Sequence, residues 1–226
     1  MTLKHKAYET RPYTIINCAM SADGKIALPS GKPVKLSSLE DFKRVHELRN
    51  YCDGILVGIN TILMDDPKLT VKPEFVTKPT HPTRIILDYY GRMPKNAAVL
   101  DGIAPTLIFI GEENESKNYK FKNAEVSYSS AGQAGMIKLE DMLLKLKNRG
   151  INNLLVEGGE TVIYNFLQNH CVDELYIYVS NVVIGGTSAP TLAGGLGAKS
   201  EDEIIKLKLI SNDRLGEGVL LKYLVK

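Results

Sequence analysis

Short and almost entirely apolar runs, separated by segments with helical periodicity, are the feature of this sequence that most constrains its fold. Four runs have the length of a β-strand and lack the polar alternation of a strand with one solvent face: "DGILVGI" (53–59), "TRIILDYYG" (83–91), "PTLIFIG" (105–111) and "NNLLVEGG" (152–159). Strands that are covered on both faces belong to parallel sheets flanked by helices. The pattern therefore predicts an α/β fold with a mostly parallel central sheet.

Helical signals lie between these strands. The segment "SSLEDFKRVHELRNYC" (37–52) opens with Ser37 and Glu40 at capping-box spacing and continues with apolar residues at helical spacing. Further helices are predicted over 139–150, which ends at a glycine, and over 161–170. The polar segment 112–135 is interpreted as a surface excursion.

The two ends of the chain read as strands without long helices beside them. "YTIINCAM" (13–20) predicts a first strand, whereas "VDELYIYVSNVVIGG", "EIIKLKLISNDRL" and "GVLLKYLVK" predict successive C-terminal strands. Alternating strands and helices followed by a run of strands favour one α/β domain whose parallel sheet gains antiparallel strands near the C-terminus.

The composition narrows the class of protein. With 226 residues, of which 44% are hydrophobic, the chain can form one large core. We expect a flexible N-terminus over 1–11 and a single domain over 12–226. The formal net charge of +2 gives no reason to expect nucleic-acid or membrane-surface binding. No apolar run is long enough to span a membrane, and the N-terminus lacks the apolar segment of a signal peptide. A cytoplasmic protein is expected.

No metal site is expected either, because the three cysteines and four histidines are scattered without the spacing of metal ligands. Two apparent nucleotide motifs also fail. The chain has no G-x-G-x-x-G, and "GGLGAKS" (194–200) lacks the Gly-Lys-Ser/Thr ending of a P-loop.

The stretch "LLVEGGETV" (154–162) places a carboxylate at the carboxyl end of a buried strand, directly before two glycines and a predicted helix. Ligands of open α/β sheets bind at this edge, and a helix N-terminus next to glycines can accept a phosphate. Glu157 would then be an acid beside a phosphate cradle. A tight strand-to-helix turn with an exposed glutamate explains the same residues equally well.

Two other polar segments follow predicted strands. "MSADGKIAL" (20–28) puts Asp23 and Gly24 in a turn, for which Asp-Gly is also an ordinary pair. "GINTILMDDPKLTVK" (58–72) places Thr61, Asp65 and Lys72 just past a buried strand. Its paired acids could cap a helix or hold the hydroxyl groups of a sugar.

Together these pieces resemble a known family. "NCAMSADGKIA", "VGINTILMDDPKLTV", "RIILD", "LLVEGGETV", "VIGG" and "RLGEGVLLKY" occur in this order between residues 17 and 223, and the chain is similar to the riboflavin-pathway pyrimidine reductases, most closely their single-domain archaeal form. The resemblance implies a three-layer dihydrofolate-reductase-like fold, NADPH as reductant and a homodimer. It also implies a small phosphorylated pyrimidine as substrate, with no nucleic-acid or membrane partner.

The resemblance also assigns site residues. The positions implied to contact the cofactor are Thr61, Asp65, Asp88, Gly158, Gly159, Glu160 and Thr161. Those implied on the substrate side are Asn17, Asp23, Arg49, Leu69, Lys72 and Glu157. Glu157 and Asp23 are the acids available for catalysis, and Arg49 and Lys72 are expected to hold the substrate phosphate.

The chain departs from the family at two positions beside the cofactor. Tyr89 stands where the family often has a serine that could help hold a 2′-phosphate, and Glu160 stands where a third glycine is common. A glutamate there would repel a cofactor phosphate unless it turned outward. The resemblance therefore implies NADPH but leaves NADH open.

The implied reaction turns a ribosylamine phosphate into a ribitylamine phosphate. Burial favours the protonated form of a carboxyl, which would suit Glu157 to proton donation. The chain has none of the zinc-deaminase elements of the bifunctional bacterial relatives, which favours a diaminopyrimidine over an aminouracil substrate. Two alternatives remain open: a folate- or pteridine-type reductase, which would not need phosphate-binding cations, and a non-catalytic nucleotide-binding protein.

Overall fold

The computed structural model describes residues 8–132 and 135–226, and its strands form one sheet through the molecule. The strands are β1 (Tyr13–Met20), β2 (Gly54–Gly58), β3 (Thr83–Leu87), β4 (Thr106–Gly111), β5 (Glu125–Ser129), β6 (Asn153–Gly158), β7 (Glu174–Val179), β8 (Leu207–Leu215) and β9 (Gly218–Val225). Their order is β5-β4-β3-β2-β6-β1-β7-β9-β8. Neighbours from β5 to β7 are parallel, whereas β9 pairs antiparallel with both β7 and β8.

Helices cover both faces of the parallel part. They are α1 (Leu39–Tyr51), α2 (Ile59–Asp65), α3 (Leu139–Asn148) and α4 (Glu160–Gln168). One buried cluster joins the sheet to α3 and α4, and a second joins its opposite face to α1 and α2. Because apolar strands need cover on both sides, this three-layer arrangement follows from the sequence pattern. The predicted fold class is confirmed.

Two elements, α2 and β5, were not predicted from the sequence, and the N-terminal cap of α1 differs from the predicted Ser37. The helix α2 follows β2 without a loop, and β5 lies inside the segment predicted as a surface excursion, where it pairs with β4. The cap of α1 is Ser38, whose Oγ accepts a hydrogen bond from the amide of Asp41 at 3.2 Å. Ser37 instead donates to the Asp41 carboxylate.

The N-terminal segment differs in part from the expectation of a flexible end over 1–11. Residues 1–7 lie outside the described residues. Arg11, however, makes a bidentate ion pair with Asp173 at 2.7 and 2.9 Å, and the Tyr8 hydroxyl donates to the same carboxylate. The described part of this segment is therefore held against the start of β7.

In the part of the chain that the structure describes, no helix combines the length and the apolar character that crossing a membrane requires.

Candidate functional site

A cleft of about 1160 Å³ opens at the carboxyl end of the parallel strands, where the starts of α1, α2 and α4 also converge. Asn17 and Glu157 lie on one part of its wall, near the first turn of α1. Another part is lined by Thr61, Asp65, Gly159, Glu160 and Thr161, all predicted to contact the cofactor. The structure thus brings seven of the thirteen predicted site residues to one cavity, at the sheet edge where α/β folds bind ligands.

Glu157 is held in the cleft wall by an ion pair. Arg49, in the last turn of α1, donates from Nε to Oε1 at 2.9 Å and from Nη2 to Oε2 at 2.6 Å. Both side chains are mostly buried, with 12% exposure for Glu157 and 17% for Arg49. Two parallel bonds of this kind fix the plane of the carboxylate and hold it in one orientation at the cleft wall. The role of Glu157 as a proton donor stays a prediction.

Arg49 was predicted as a phosphate ligand, and in the structure each of its three guanidinium nitrogens donates a hydrogen bond within the protein. Besides the two bonds to Glu157, its Nη1 donates to the carbonyl of Thr70 at 3.2 Å. Burial alone would lower the pKa of Arg49, yet the charge of Glu157 and the hydrogen bonds to it raise the pKa above the ordinary value. Arg49 is also absent from the cleft lining. Its observed contacts are those of a clamp for Glu157.

The start of α4 has the shape of an anion site. Gly159 is the N-terminal cap of the helix and makes no side-chain capping bond, and Gly158 has φ of +110°, which side chains other than glycine rarely adopt. A Cβ built on Gly159 would point toward Thr61, 3.8 Å from its Oγ1, without meeting the protein more closely. The absent side chain therefore leaves open space between α4 and α2, beside the first amides of α4, which have no carbonyl partner within the helix itself.

The carboxylate of Glu160 is held by a neighbouring loop. Its Oε2 accepts a hydrogen bond from the amide of Thr191 at 2.9 Å, and its backbone carbonyl accepts one from Gly194 at 3.2 Å. A Cβ on Gly194 would collide with this carboxylate at 2.7 Å. Glu160 is thus turned toward the glycine-rich loop around residue 191, which it ties to the start of α4.

Asp65 ends α2 at the cleft wall, and its surroundings raise the pKa of its carboxyl by burial. Thr61 lies one turn earlier on the same helix. Because α2 begins directly after β2, both side chains are carried by an element that is anchored in the sheet. Both residues line the cleft, and their contact with the cofactor stays a prediction.

Asp88 does not face the cleft. Its fully buried carboxylate accepts hydrogen bonds from the amides of Arg92 at 2.9 Å and Met93 at 2.7 Å, and so holds the turn that follows β3. Burial raises the pKa of Asp88 despite these bonds. Its predicted contact with the cofactor is replaced by a structural contact, because the turn uses both carboxylate oxygens.

Asp23 is also a loop anchor. It accepts hydrogen bonds from the Ser21 hydroxyl at 2.6 Å and from the amides of Ile184 and Gly185 at 3.0 and 2.7 Å. The bond from Ser21, followed by the two amides, lowers the pKa of Asp23 to about 2. A carboxyl that stays ionised and lies outside the cleft lining is poorly suited to the predicted acid/base role.

Leu69 and Lys72 lie behind the wall on the substrate side. Leu69 is buried in the core with φ of +52° and is not exposed to the cleft. Lys72 is half-exposed, with its Nζ 5.0 Å from the ring centre of Phe42 and 3.7 Å from Glu74. Phe42 and Phe75 do line the cleft, so Lys72 borders the cavity rather than entering it.

Several residues that line the cleft were not predicted as site residues from the sequence. Within residues 8–132 and 135–226, the cationic side chains that line the cleft are Lys35, in the loop before α1, and Arg92, after β3. The Nη2 of Arg92 donates to Asn60 at 3.0 Å. Position at the end of a buried strand was an available signal for Arg92, whereas nothing in the local pattern distinguishes Lys35.

Comparisons with known proteins agree with this architecture. The family model described as the RibD C-terminal domain matches residues 12–221. The 2,5-diamino-6-ribosylamino-4(3H)-pyrimidinone 5′-phosphate reductase of Methanothermobacter thermautotrophicus is 38% identical over 218 residues, which cover 96% of this chain and 99% of that protein.

Two solved structures are similar to this chain in fold. The riboflavin biosynthesis reductase Rib7 of Saccharomyces cerevisiae matches with a TM-score of 0.78 at 21% identity, covering 98% of this chain and 93% of that one. A dihydrofolate reductase of Enterococcus faecalis, solved with NADP(H), matches with a TM-score of 0.51 at 13% identity, covering 95% and 96%. The predicted dihydrofolate-reductase-like architecture is confirmed.

Proposed function

Because this chain belongs to the RibD C-terminal domain family, we propose that it reduces the ribosylamino group of 2,5-diamino-6-ribosylamino-4(3H)-pyrimidinone 5′-phosphate to a ribitylamino group in riboflavin biosynthesis. The chain is an oxidoreductase by this membership, and a relative that it matches over almost its whole length carries that substrate in its name. The observation that supports the proposal best is a single cleft with a clamped carboxylate at one part of its wall and a glycine-lined helix start at another.

NADPH is proposed as the reductant, and the residues present fit a dinucleotide phosphate. Gly159, Glu160 and Thr161 at the start of α4 line the cleft, and the missing side chain of Gly159 leaves room for a phosphate to approach their amides. Glu160, held by Thr191, need not face that phosphate. Thr61 and Asp65 border the same space from α2. When bound, NADPH supplies the hydride that is added to C1′ of the sugar.

Glu157 is proposed to act on the sugar. Opening of the ribose ring at C1′ gives an imine as the sugar nitrogen loses its proton and the departing ring oxygen gains one. Addition of the hydride to the imine then requires a proton at the nitrogen, which is supplied from solvent. Arg49 holds the carboxylate in one orientation, so that it can hydrogen-bond the sugar nitrogen or hydroxyl and exchange a proton through that bond. Arg49 thereby acts through Glu157, while Lys72 remains the predicted cation for the substrate phosphate.

The proposal is tested by following the absorbance of NADPH with three substrates in parallel: the diaminopyrimidine, its deaminated aminouracil counterpart and dihydrofolate. We expect fastest oxidation with the diaminopyrimidine. Oxidation with dihydrofolate and with neither pyrimidine would favour the folate-type alternative. Tight NADPH binding without oxidation of any of the three would favour the non-catalytic alternative.

A further inference from the structure

Asn17 and Glu157 both line the cleft and lie near the ends of the neighbouring strands β1 and β6. Strands β1 and β6 run parallel with Ile16 opposite Val156, so the next residues along the two strands are Asn17 and Glu157. Both line the cleft. In a parallel pair, neighbouring strands are about 4.8 Å apart. A molecule bound in this part of the cleft can contact both side chains. The direction of the Asn17 amide then determines whether the molecule must offer a donor or an acceptor to it.

The direction of the Asn17 amide is set from outside the cleft by Arg44. Nη2 of Arg44 donates to Oδ1 of Asn17 at 2.7 Å. The oxygen and nitrogen of an amide are hard to distinguish by shape, but a guanidinium has only donors and no acceptor. The amide oxygen must therefore face Arg44. The Nδ2 group has no hydrogen-bond partner among the described residues and is left to the cleft side.

Arg44 is itself fixed by a buried carboxylate. Asp41 is fully buried, and its Oδ1 accepts from Nε of Arg44 at 2.9 Å and from Nη2 at 2.7 Å. The other oxygen of Asp41 accepts from the Ser37 hydroxyl at 2.5 Å. The remaining nitrogen, Nη1 of Arg44, is buried without a partner in the described chain. The guanidinium is thus oriented by Asp41 and Asn17 at the expense of one donor.

We propose that Arg44 is a positioning residue that fixes Asn17 as a hydrogen-bond donor to the substrate. Helix α1 then carries two clamps, with Arg49 presenting the Glu157 carboxylate as an acceptor and Arg44 presenting the Asn17 amide as a donor. The pair recognises a substrate edge that offers a donor next to an acceptor without a proton, such as a carbonyl oxygen or ring nitrogen of the pyrimidinone. This inference rests on the proposed function.

Asn17→Asp tests the donor assignment. The variant keeps the side-chain size and an oxygen for Arg44, so the fold is retained, but it offers the substrate a second acceptor beside Glu157. We expect KM for the pyrimidine substrate to rise by about 10- to 100-fold, the loss expected for a polar contact turned repulsive, while the NADPH dissociation constant stays the same. A near-normal KM would overturn the assignment, because it would mean that the substrate is met by an oxygen.

A double-mutant cycle tests the role of Arg44. If Arg44 acts through Asn17, Arg44→Met lowers kcat/KM in the parent but has little further effect in an Asn17→Ala background. Full additivity would overturn the positioning role, since a general structural effect would persist without Asn17. Lys43→Met is the matched control, because Lys43 is the adjacent residue, is 60% exposed and, within the described residues, forms an ion pair with Glu47 on its own helix. It should leave kcat/KM unchanged.

Parent turnover separates this inference from the proposed function. An active parent together with an unaffected Asn17→Asp contradicts the inference alone. A parent that is inactive on both pyrimidines overturns the proposed function and the inference with it. Because Arg44→Met leaves the Asp41 charge buried and unpaired, a thermal melt accompanies each variant. If that variant does not fold, Arg44→Lys, which keeps a positive charge beside Asp41, takes its place in the double-mutant cycle with the same two outcomes.

Discussion

Replacing Glu157 by glutamine removes the charge of the carboxylate while keeping its size. In the structure, that carboxylate accepts two hydrogen bonds from a mostly buried guanidinium, at 2.9 and 2.6 Å. The glutamine retains one oxygen for Arg49 but turns an NH₂ group toward its second donor. Removing one partner of a buried ion pair costs about 3–5 kcal/mol, so we expect a loss of unfolding free energy toward the lower end of that range, ~3 kcal/mol.

The effect on turnover should be larger than the effect on cofactor binding. Acid/base catalysis by a positioned side chain contributes about 10²- to 10⁴-fold, and kcat should fall by that order. Since Glu157 lies beside the helix start rather than within it, the NADPH dissociation constant should stay within a few-fold. Single-turnover oxidation of NADPH gives the first quantity, and fluorescence titration with NADPH gives the second.

Asp173→Asn provides a matched control. Asp173 also forms a bidentate, mostly buried pair with an arginine, at 2.7 and 2.9 Å, but it lies outside the cleft lining. This variant should lose stability and keep kcat. If Glu157→Gln retains near-normal kcat, or if Asp173→Asn loses as much kcat as Glu157→Gln does, the catalytic assignment is refuted and a structural role for the Glu157 pair remains.

Four further predictions concern the cofactor, the substrate phosphate, pH and assembly. Gly159→Ala should raise the NADPH dissociation constant by about 10-fold, the effect of losing one charge-assisted contact, without changing the melting temperature, because its Cβ meets only cleft space; an unchanged constant would count against the cradle. Lys72→Met should raise KM for the phosphorylated substrate but not for the dephosphorylated nucleoside, and an equal effect on both would exclude it as the phosphate cation. Burial, and then the nearby charges of Arg49 and Lys72, lower the pKa of His46 in the folded protein to about 4. In the unfolded chain the pKa of a histidine is ~6.5, so between pH ~6.5 and about 4 the unfolded state is protonated at His46 while the folded state is not. The free energy of unfolding should therefore fall as the pH drops through this window, by at most ~3 kcal/mol and by about half that with solvent screening. Urea unfolding of His46→Leu at a series of pH values should not show this decrease. The exposed apolar face of β8 and β9 should form a homodimer interface, so light scattering at micromolar concentration should give a dimer mass that Ile210→Glu reduces to the monomer; a monomeric parent would contradict this.

The main strands could be predicted because burial on both faces leaves a simple signal in sequence. β2, β4 and β6 are almost wholly apolar, and their positions were predicted within one or two residues. β5 was missed because it pairs on one side only and carries polar residues such as Glu125 and Ser127. α2 was missed because its seven residues follow β2 directly and are too few to show a helical period.

The candidate site shows the same division between local and tertiary information. Residues placed by the end of a strand or the start of a helix, such as Glu157 and Gly159, were located correctly in the cleft. The partners of charged side chains were not, because they depend on contacts between distant segments. Arg49 meets Glu157 across 108 residues of sequence, and Asp23 meets Gly185 across 162. Local pattern carries no information on such pairs.

Transfer of a labelled hydrogen tests whether NADPH delivers its hydride to C1′ of the sugar, because it reports which substrate atom lies next to the cofactor in the cleft. The protein is incubated with the diaminopyrimidine substrate and NADPH that carries deuterium at both hydrogen positions of nicotinamide C4, and the product is examined by mass spectrometry and NMR. We expect the product to carry one deuterium, located at C1′ of a ribitylamino group. Deuterium on the heterocycle, or oxidation of NADPH without deuterium in the product, would contradict it.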